Sequence, residues 1–139
     1  PDAWNQMCEI LESKGIERNE ESKDLLEDHI AVELDYMAYL CDETSQYTET
    51  LAGLEEQREF LNKHLLNWVP EFCLDIKDHA DTEFYRMVGQ LTTGFLQLDS
   101  FILDKMIVER KARPVVSKSF RISRARNMCL TGECGKQTV

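Results

Sequence analysis

The tripeptide Glu27-Asp28-His29 offers the most distinctive chemistry in this sequence. It lies where an apolar helical pattern begins, and the free N–H groups of a helix N-terminus favour negative charge. The two carboxylates can therefore cap the helix, or they can accept hydrogen bonds from a cationic ligand. Arginine is the natural ligand, because its guanidinium group matches a carboxylate through two parallel hydrogen bonds. The spacing alone leaves both roles open.

Two histidine–carboxylate pairs have the spacing of metal ligands on one helix face. They are His29 with Glu33 and Asp75 with His79, each four residues apart. A carboxylate-bridged pair of metal ions would need Glu-x-x-His repeats on two helices, and the sequence contains none. We therefore expect surface or capping roles for both pairs and predict no metal site. A ferritin-like metal-binding bundle is the less favoured alternative.

Patterns typical of catalysis are not found in the sequence. No serine or cysteine has the context of a nucleophile elbow, and the glycines do not form a phosphate-binding loop. His64 falls on the apolar side of its helix and is expected in the core. Cys129 and Cys134 are the only closely spaced cysteines, and they supply two of the four ligands that a zinc site usually needs. The sequence thus predicts no catalytic residue, no cofactor and no enzyme activity.

Helices must position these side chains, because glycine and proline are scarce and the apolar period is helical. We predict an all-α bundle of about five helices in residues 1–112. The predicted helices cover residues 3–14, about 24–43, 54–68, about 70–80 and 82 to about 111. Either Asp24, in a capping-box spacing with Glu27, or Asp28 is expected to cap the second helix. The polar stretch 44–52 is predicted to be a loop.

The last predicted helix is apolar over more than half of its circumference. This pattern predicts a central position in the bundle. Gly89 and Gly94 interrupt it, and each lowers helix propensity by about 1 kcal/mol relative to alanine. We therefore expect both glycines to permit the close approach of a neighbouring helix.

Charge divides the chain into an acidic body and a basic tail. Residues 1–109 carry 25 acidic and 8 basic side chains, whereas residues 110–139 carry 8 basic side chains and one acidic side chain. The acidic body disfavours nucleic acid and favours cationic partners. The tail, residues 113–139, is predicted to be a flexible arm. No apolar run is long enough for a membrane span, and the odd, scattered cysteines favour the cytoplasm.

Three blocks of the sequence resemble a known family. Residues 27–37 resemble the signature of the TorD/DmsD/NarJ family of cytoplasmic chaperones for molybdenum redox enzymes, usually written E-P-x-D-H. Residues 60–72 and 82–96 resemble two further blocks of that family, in the same order. Leu25-Leu26 stands where the family often has Glu-Pro. Only about 23 residues precede the signature, and the start at Pro1 suggests a processed chain or a fragment.

The resemblance implies a non-enzymatic chaperone. Such proteins bind the twin-arginine signal peptide, or another segment, of a molybdopterin-dependent oxidoreductase, and they hold the apoprotein until its cofactor is inserted. The implied partner is that apoprotein or its leader peptide, without nucleic acid and without membrane insertion. The residues expected to bind the peptide are Glu27, Asp28, His29, Glu33, Tyr36, Trp68 and Pro70. Trp68, Pro70 and Tyr36 are expected to be exposed apolar anchors.

Two further expectations concern assembly and function. If a section of the family core is absent, Phe95, Phe101 and Ile102 would lack partners within the chain. A homodimer with exchanged helices is then expected, similar to a mode seen in the family. The rival to the chaperone interpretation is a non-catalytic protein-interaction module that uses the same bundle without signal peptides.

Overall fold

The structure, a computed structural model, describes residues 2–17, 24–46 and 50–112. Within these ranges the chain forms five α-helices and no strand, which confirms the predicted all-α fold. The helices are α1 (Ala3–Lys14), α2 (Ile30–Gln46), α3 (Leu51–Phe60), α4 (Val69–His79) and α5 (Glu83–Ala112). A π-helical segment, Leu61–Leu65, continues α3.

Two helix ends follow the sequence signals. Gly15 ends α1 in the left-handed conformation, with φ 65°, and its N–H lies within hydrogen-bond reach of the carbonyls of Leu11 and Glu12. Pro70 lies in the first turn of α4, where its missing N–H removes no helical hydrogen bond. Both helix ends agree with the prediction, because glycine is strongly preferred just after a helix and proline in its first turn.

The start of α2 differs from the prediction. Residues 24–29 form turns, and the helix begins only at Ile30. His29 closes this lead-in, because its N–H donates to the carbonyl of Leu26 at 3.1 Å and its own carbonyl accepts from Val32 at 2.8 Å. The hydrogen bond to Leu26 ends a tight turn that takes the place of the predicted first helical turn. The expectation of a cap at Asp24 or Asp28 is therefore wrong.

The predicted loop at residues 44–52 is shorter than expected. The α2 helix continues to Gln46, and the hydroxyl of the buried Thr44 is satisfied within it, since it donates to the carbonyl of Leu40 at 2.8 Å. The α3 helix starts early because the Thr50 side chain caps it, accepting from Gly53 N at 3.1 Å. Threonine is common both in loops and at helix caps. The threonine-rich composition of this stretch therefore predicted the end of α2 too early and the start of α3 too late.

The core is built around α3 and its π-helical continuation. The N–H of Leu66 donates to the carbonyl of Leu61, five residues back, at 2.8 Å. This wide turn places Leu61 and Leu65 side by side, and neither is exposed to solvent. The α3 helix packs against α2 and α5, and α4 packs against α5. The buried apolar residues are Met7, Leu11, Val32, Tyr36, Met37, Leu40, Leu54, Phe60, Leu61, Leu65, Val69, Cys73, Leu96 and Leu103.

The α5 helix is not central within the described chain, so that prediction is wrong. Its only buried residues are Gly89, Leu96 and Leu103, spaced seven apart on one face. Gly89 approaches α4 closely, since a Cβ atom there would lie 3.1 Å from the carbonyl oxygen of Cys73, as expected. A Cβ atom on Gly94 would meet nothing within 4 Å, so the expected close approach at Gly94 does not occur.

None of the helices in the described ranges combines the length and the apolar composition that a membrane span requires. The predicted boundary between the body and the basic tail remains a prediction, since residues 113–139, with Cys129 and Cys134, lie outside the described residues.

Candidate peptide-binding groove

A groove of about 480 Å³ lies where the lead-in to α2 meets the start of α4. It joins an acidic edge to an apolar wall. Its lining residues are Asp24, Leu25, Leu26, Asp28, His29, Ile30, Trp68 and Phe72. Three of the residues predicted to bind a peptide, Asp28, His29 and Trp68, thus meet in one place although Trp68 is distant from the other two in sequence.

The ring of His29 fixes the acidic edge of the groove. Its Nδ1 atom accepts a hydrogen bond from the backbone N–H of Ala31 at 3.1 Å. This contact uses Nδ1 as the acceptor and so corresponds to the tautomer that carries its hydrogen on Nε2. His29 therefore caps α2 with its side chain. The carboxylate of Asp28 beside it lies at the helix N-terminus, where the helix dipole favours negative charge.

Glu33 holds the apolar wall from beneath. It is only 2% exposed, and its Oε2 atom accepts a hydrogen bond from the indole N–H of Trp68 at 3.0 Å. Burial raises the pKa of Glu33 to about 7, although the hydrogen bond from Trp68 lowers it, and the nearby charge of Asp28 adds to the rise. Glu33 is therefore a positioning residue for Trp68 and not a free carboxylate of the groove.

The wall itself is an aromatic pair at the start of α4. The rings of Trp68 and Phe72 are 5.5 Å apart and tilted by 49°. The indole N–H of Trp68 also lies 2.6 Å from the carbonyl oxygen of His64 in the π-helical segment. Trp68 is thus fixed at its polar end and presents ring surface to the groove, an arrangement that suits apolar ligands.

The remaining predicted site residues lie elsewhere. Glu27 accepts a hydrogen bond from the indole N–H of Trp4, which ties α1 to the lead-in of α2. Pro70 is half-buried in α4 and does not line the groove. Tyr36 is 5% exposed, so the expectation of an exposed anchor there is wrong. Its side chain lines a second cavity of about 250 Å³, in which His64 also lies.

Sequence reasoning missed five of the eight residues that line the groove. Phe72 lies one helical turn after Trp68, and this spacing was the available signal for an aromatic pair. Leu25 and Leu26 occupy the positions where the family often has Glu-Pro, and Leu26 is strongly exposed at the groove. These two leucines add aliphatic surface to the lining of the groove.

The core prediction for His64 is confirmed, since it is buried and its ring stacks on Phe60 at 4.8 Å. Burial lowers the pKa of His64, and the charge of Lys63 lowers it further. The ring of His79 contacts the backbone carbonyl of Asp75 at 2.9 Å, which is a local helix contact. Over residues 2–17, 24–46 and 50–112, no group of three or more histidine, cysteine or acidic side chains could hold a metal ion.

Curated relatives carry one recurring name. The chain is 31% identical over 107 residues to the "Chaperone protein TorD" of Vibrio cholerae, a match that covers 75% of this chain and 48% of that protein. It is 36% identical over 97 residues to the protein of the same name from Photobacterium profundum, with 68% and 44% covered. The chain thus spans about half the length of these relatives. No solved structure gives a significant match.

The family assignment rests on a match between the chain and the model of a protein family. The family model described as "Nitrate reductase delta subunit" matches residues 2–74, which is just over half of the chain. This segment contains α1, α2, α3 and the first half of α4, and therefore every residue that lines the groove. The chain belongs to the nitrate reductase delta subunit family, the family of the TorD- and NarJ-type chaperones.

Proposed function

We propose that this chain acts as a chaperone in the maturation of a molybdopterin-dependent oxidoreductase. It binds the twin-arginine leader or another segment of the apoprotein, assists cofactor insertion and delays export, and it catalyses no reaction. The family assignment and the names of the relatives support the maturation role. The observation that carries the binding role is the groove, in which two carboxylates, those of Asp24 and Asp28, face an aromatic wall.

The acidic edge of the groove suits paired arginines. A guanidinium group donates two parallel hydrogen bonds to one carboxylate, so two carboxylates can each receive one arginine. Lysine offers a point charge without this planar geometry and is expected to bind less tightly. The strongly acidic body adds a long-range attraction for any cationic segment.

The apolar wall suits the segment that follows the arginines in such a leader. Trp68, Phe72 and Ile30 offer aromatic and aliphatic surface directly beside Asp28. Glu33 already orders the Trp68 ring through its hydrogen bond, so binding does not have to immobilise this side chain. A disordered leader still loses conformational entropy on binding, and we therefore expect micromolar rather than nanomolar affinity.

The place of action follows from this role. A chaperone that holds an apoprotein before export works in the cytoplasm, and this localisation is part of the proposal. The thiols of Cys8, Cys41 and Cys73 are free, which agrees with a reducing compartment.

The test is a binding titration that uses a synthetic peptide with two adjacent arginines followed by an apolar run. Binding is followed by tryptophan fluorescence in the Trp4→Phe variant, which leaves Trp68 as the only reporter. We expect saturable binding with a change in Trp68 emission, and about tenfold weaker binding of the matched Lys-Lys peptide. Equal affinity for both peptides, or binding without any change in Trp68 emission, would refute the proposed leader site and favour a general interaction module.

Self-association is the second part of the proposed partnership. The predicted homodimer with exchanged helices stays a prediction. What supports a second copy is the exposure of Phe95, Phe101 and Ile102, which remain 59%, 58% and 43% exposed in the described part of the chain.

A further inference from the structure

The second cavity lies between α1, α2 and α3 with its π-helical continuation. Pockets for small molecules usually measure roughly 300–1,000 Å³. This cavity, at about 250 Å³, is therefore small for a cofactor and suits one large side chain. Its lining residues are Ile10, Tyr36, Leu40, Glu56, Glu59, Phe60, Lys63 and His64.

The floor of the cavity is aromatic. The centre of the Phe60 ring lies 4.7 Å from that of Tyr36 and 4.8 Å from that of His64. None of the three residues is more than 8% exposed. Phe60 ends α3, and His64 belongs to the π-helical segment, a backbone form that is frequent at functional sites. Such a floor favours an aromatic occupant, because rings attract one another in offset and edge-to-face arrangements.

Two of the buried residues of the floor are polar. The hydroxyl of Tyr36 and the ring nitrogens of His64 make no hydrogen bond to the described residues. Buried polar groups are normally hydrogen-bonded. Because burial lowers the pKa of His64, its ring is neutral at neutral pH and offers one donor and one acceptor. We therefore expect an occupant that brings hydrogen-bonding groups of its own, as a peptide segment does.

Two carboxylates lie at the rim of the cavity. Glu56 pairs with Lys14 of α1 at 2.6 Å, and Glu59 pairs with Lys63 at 2.5 Å. Each of these ion pairs uses one carboxylate oxygen, and the side chains of Glu56 and Glu59 are 46% and 64% exposed. The second oxygen of each carboxylate can therefore accept from a further cation. The rim suits an occupant that has cations on either side of its aromatic ring.

The sequence that follows α5 has this chemistry. Residues 113–139 contain a single aromatic side chain, that of Phe120, and it lies between Lys118 and Arg121. This segment carries six basic side chains and one acidic side chain, whereas residues 1–109 carry 25 acidic and 8 basic side chains. The charges of the tail and of the body are thus complementary.

The end of α5 brings the tail close to the cavity. Lys111, in the last turn of α5, pairs with Glu55 of α3 at 2.8 Å. Glu55 lies one helical turn from Glu59 at the rim. Eight residues lead from Ala112 to Phe120, and such a stretch spans up to about 26–29 Å when extended. The tail is therefore long enough to place the ring of Phe120 in the cavity.

We propose that this cavity is the docking site of the chain's own basic tail, with the ring of Phe120 on the aromatic floor and Lys118 and Arg121 at the rim carboxylates. The tether makes weak contacts sufficient, since a short linker gives an effective concentration in the millimolar range. A tail segment with a dissociation constant of about 0.1 mM as a separate peptide would then be docked for about nine-tenths of the time. This docking does not depend on the proposed function.

The first experiment locates the tail on the full chain by carbodiimide cross-linking, which joins a lysine amine directly to a carboxylate in contact with it. Mass spectrometry should identify links from Lys118 to Glu56 or Glu59, with a yield about tenfold above that of links from Lys136 to the same carboxylates. Equal yields from Lys118 and Lys136 would overturn the proposal, because they would show attraction by charge alone.

Two matched variants of the tail test the role of the aromatic ring. Phe120→Ser should lower the yield of the Lys118 links about tenfold, whereas Leu130→Ser, the same change at another apolar position of the tail, should leave it unchanged. Both substitutions lie outside the core of the described residues. An unchanged yield in Phe120→Ser would overturn the proposal. Links between isotope-labelled and unlabelled chains would also overturn it, because a second copy would then occupy the cavity.

The second experiment supplies the tail segment as a synthetic peptide of residues 115–126 and measures its binding by isothermal titration calorimetry. The peptide should bind the Phe120→Ser chain about tenfold more tightly than wild type, because the wild-type tail already occupies the cavity. A peptide with serine at position 120 keeps every charge and should bind about tenfold more weakly than the native peptide. Equal binding of the native peptide to both chains would show that the tail does not compete, and it would overturn the proposal.

The leader titration separates this inference from the proposed function. Phe120→Ser should bind the Arg-Arg peptide as wild type does, because the cavity and the groove share no residue. Tighter leader binding in this variant would place the tail in the groove and would overturn the proposed docking site. A docked tail in a chain that binds no leader would refute the proposed function alone.

Discussion

At the scale of single residues, the groove depends on an acid that is not part of its surface. Glu33 is buried, and it holds Trp68 by a hydrogen bond of 3.0 Å. Its neutral form accepts that bond without the cost of a buried charge, whereas its ionised form places a negative charge in the core and close to that of Asp28. The protonation state of Glu33 therefore affects the free energy of the packing that positions Trp68.

Replacement of Glu33 by glutamine tests this role through the pH dependence of stability. The folded-state pKa of about 7 lies above the ordinary value of 4.5, so wild type loses stability as pH rises from about 4.5 to about 7. Glu33→Gln keeps an acceptor for Trp68 and has no proton to lose. We expect nearly equal free energies of unfolding at pH 4 and an advantage for the variant of roughly 2–3 kcal/mol at pH 8, measured by urea denaturation.

A matched control uses an exposed acid. Glu9 on α1 is exposed, and Glu9→Gln removes the same charge without touching the groove. This variant should follow the wild-type pH profile. If Glu33→Gln also followed it in parallel, the pKa of Glu33 would be the same in the folded and unfolded protein, and its assigned role as the buried partner of Trp68 would be wrong.

At the scale of elements, the junction of α2 and α3 is held by a short polar chain in the core. Gln57 on α3 donates through Nε2 to the hydroxyl of Thr44 at 2.7 Å, and that hydroxyl donates to the carbonyl of Leu40 at 2.8 Å. Gln57 and Thr44 are both buried. This chain fixes α2, which carries Glu33 and begins at the groove, against the central α3.

The polar chain predicts a non-additive pair of substitutions. Thr44→Val leaves the buried amide of Gln57 without its strongest acceptor, and Gln57→Leu removes the amide, so each should lower the free energy of unfolding by about 1–2 kcal/mol. The double variant should lose clearly less than the sum, because no unpaired donor remains. Strict additivity in chemical denaturation would show that the two side chains do not interact.

The same elements show how far sequence reasoning reaches. Gly15 and Pro70 predicted helix ends correctly, because glycine tolerates the left-handed conformation at the end of α1 and proline suits the first turn of α4. The start of α2 was misplaced because Asp24 and Asp28 both resemble caps, whereas the observed cap is the ring of His29. Trp68 and Asp28 were correctly predicted as candidates, but their neighbour Phe72 was missed, since a groove between distant segments depends on tertiary packing.

At the scale of the whole molecule, α5 illustrates a limit of periodicity. The pattern of Phe95, Leu98 and Ile102 identified an apolar face correctly, and it gave no indication of what covers that face. Two ion pairs hold α5 to α3, namely Arg58 with Asp104 at 2.7 Å and Lys111 with Glu55 at 2.8 Å. Such exposed pairs contribute about 0–1 kcal/mol each, so the burial of Leu96 and Leu103 stabilises the packing of α5 more than the ion pairs do.

The charge of the whole molecule predicts the kinetics of leader binding. Residues 1–109 hold 25 acidic and 8 basic side chains, so a cationic leader is attracted over long range. The association rate constant measured by stopped flow should fall steeply with added salt, and equally for the Arg-Arg and Lys-Lys peptides, since their charges are equal. The two peptides should differ in dissociation rate. A salt-independent association rate would argue against electrostatic attraction by the acidic body.

The most direct test of the central claim is a double-mutant cycle between Asp28 and the arginine pair. The cycle compares wild type and Asp28→Asn, each with the Arg-Arg peptide and with a peptide in which both arginines are glutamine. Asp35→Asn, which removes an exposed carboxylate from α2 outside the groove, serves as the control. We predict a coupling of about 1.5 kcal/mol, or roughly tenfold in affinity, for Asp28 and none for Asp35. Equal coupling at the two positions, or none at Asp28, would contradict recognition of the leader by this groove.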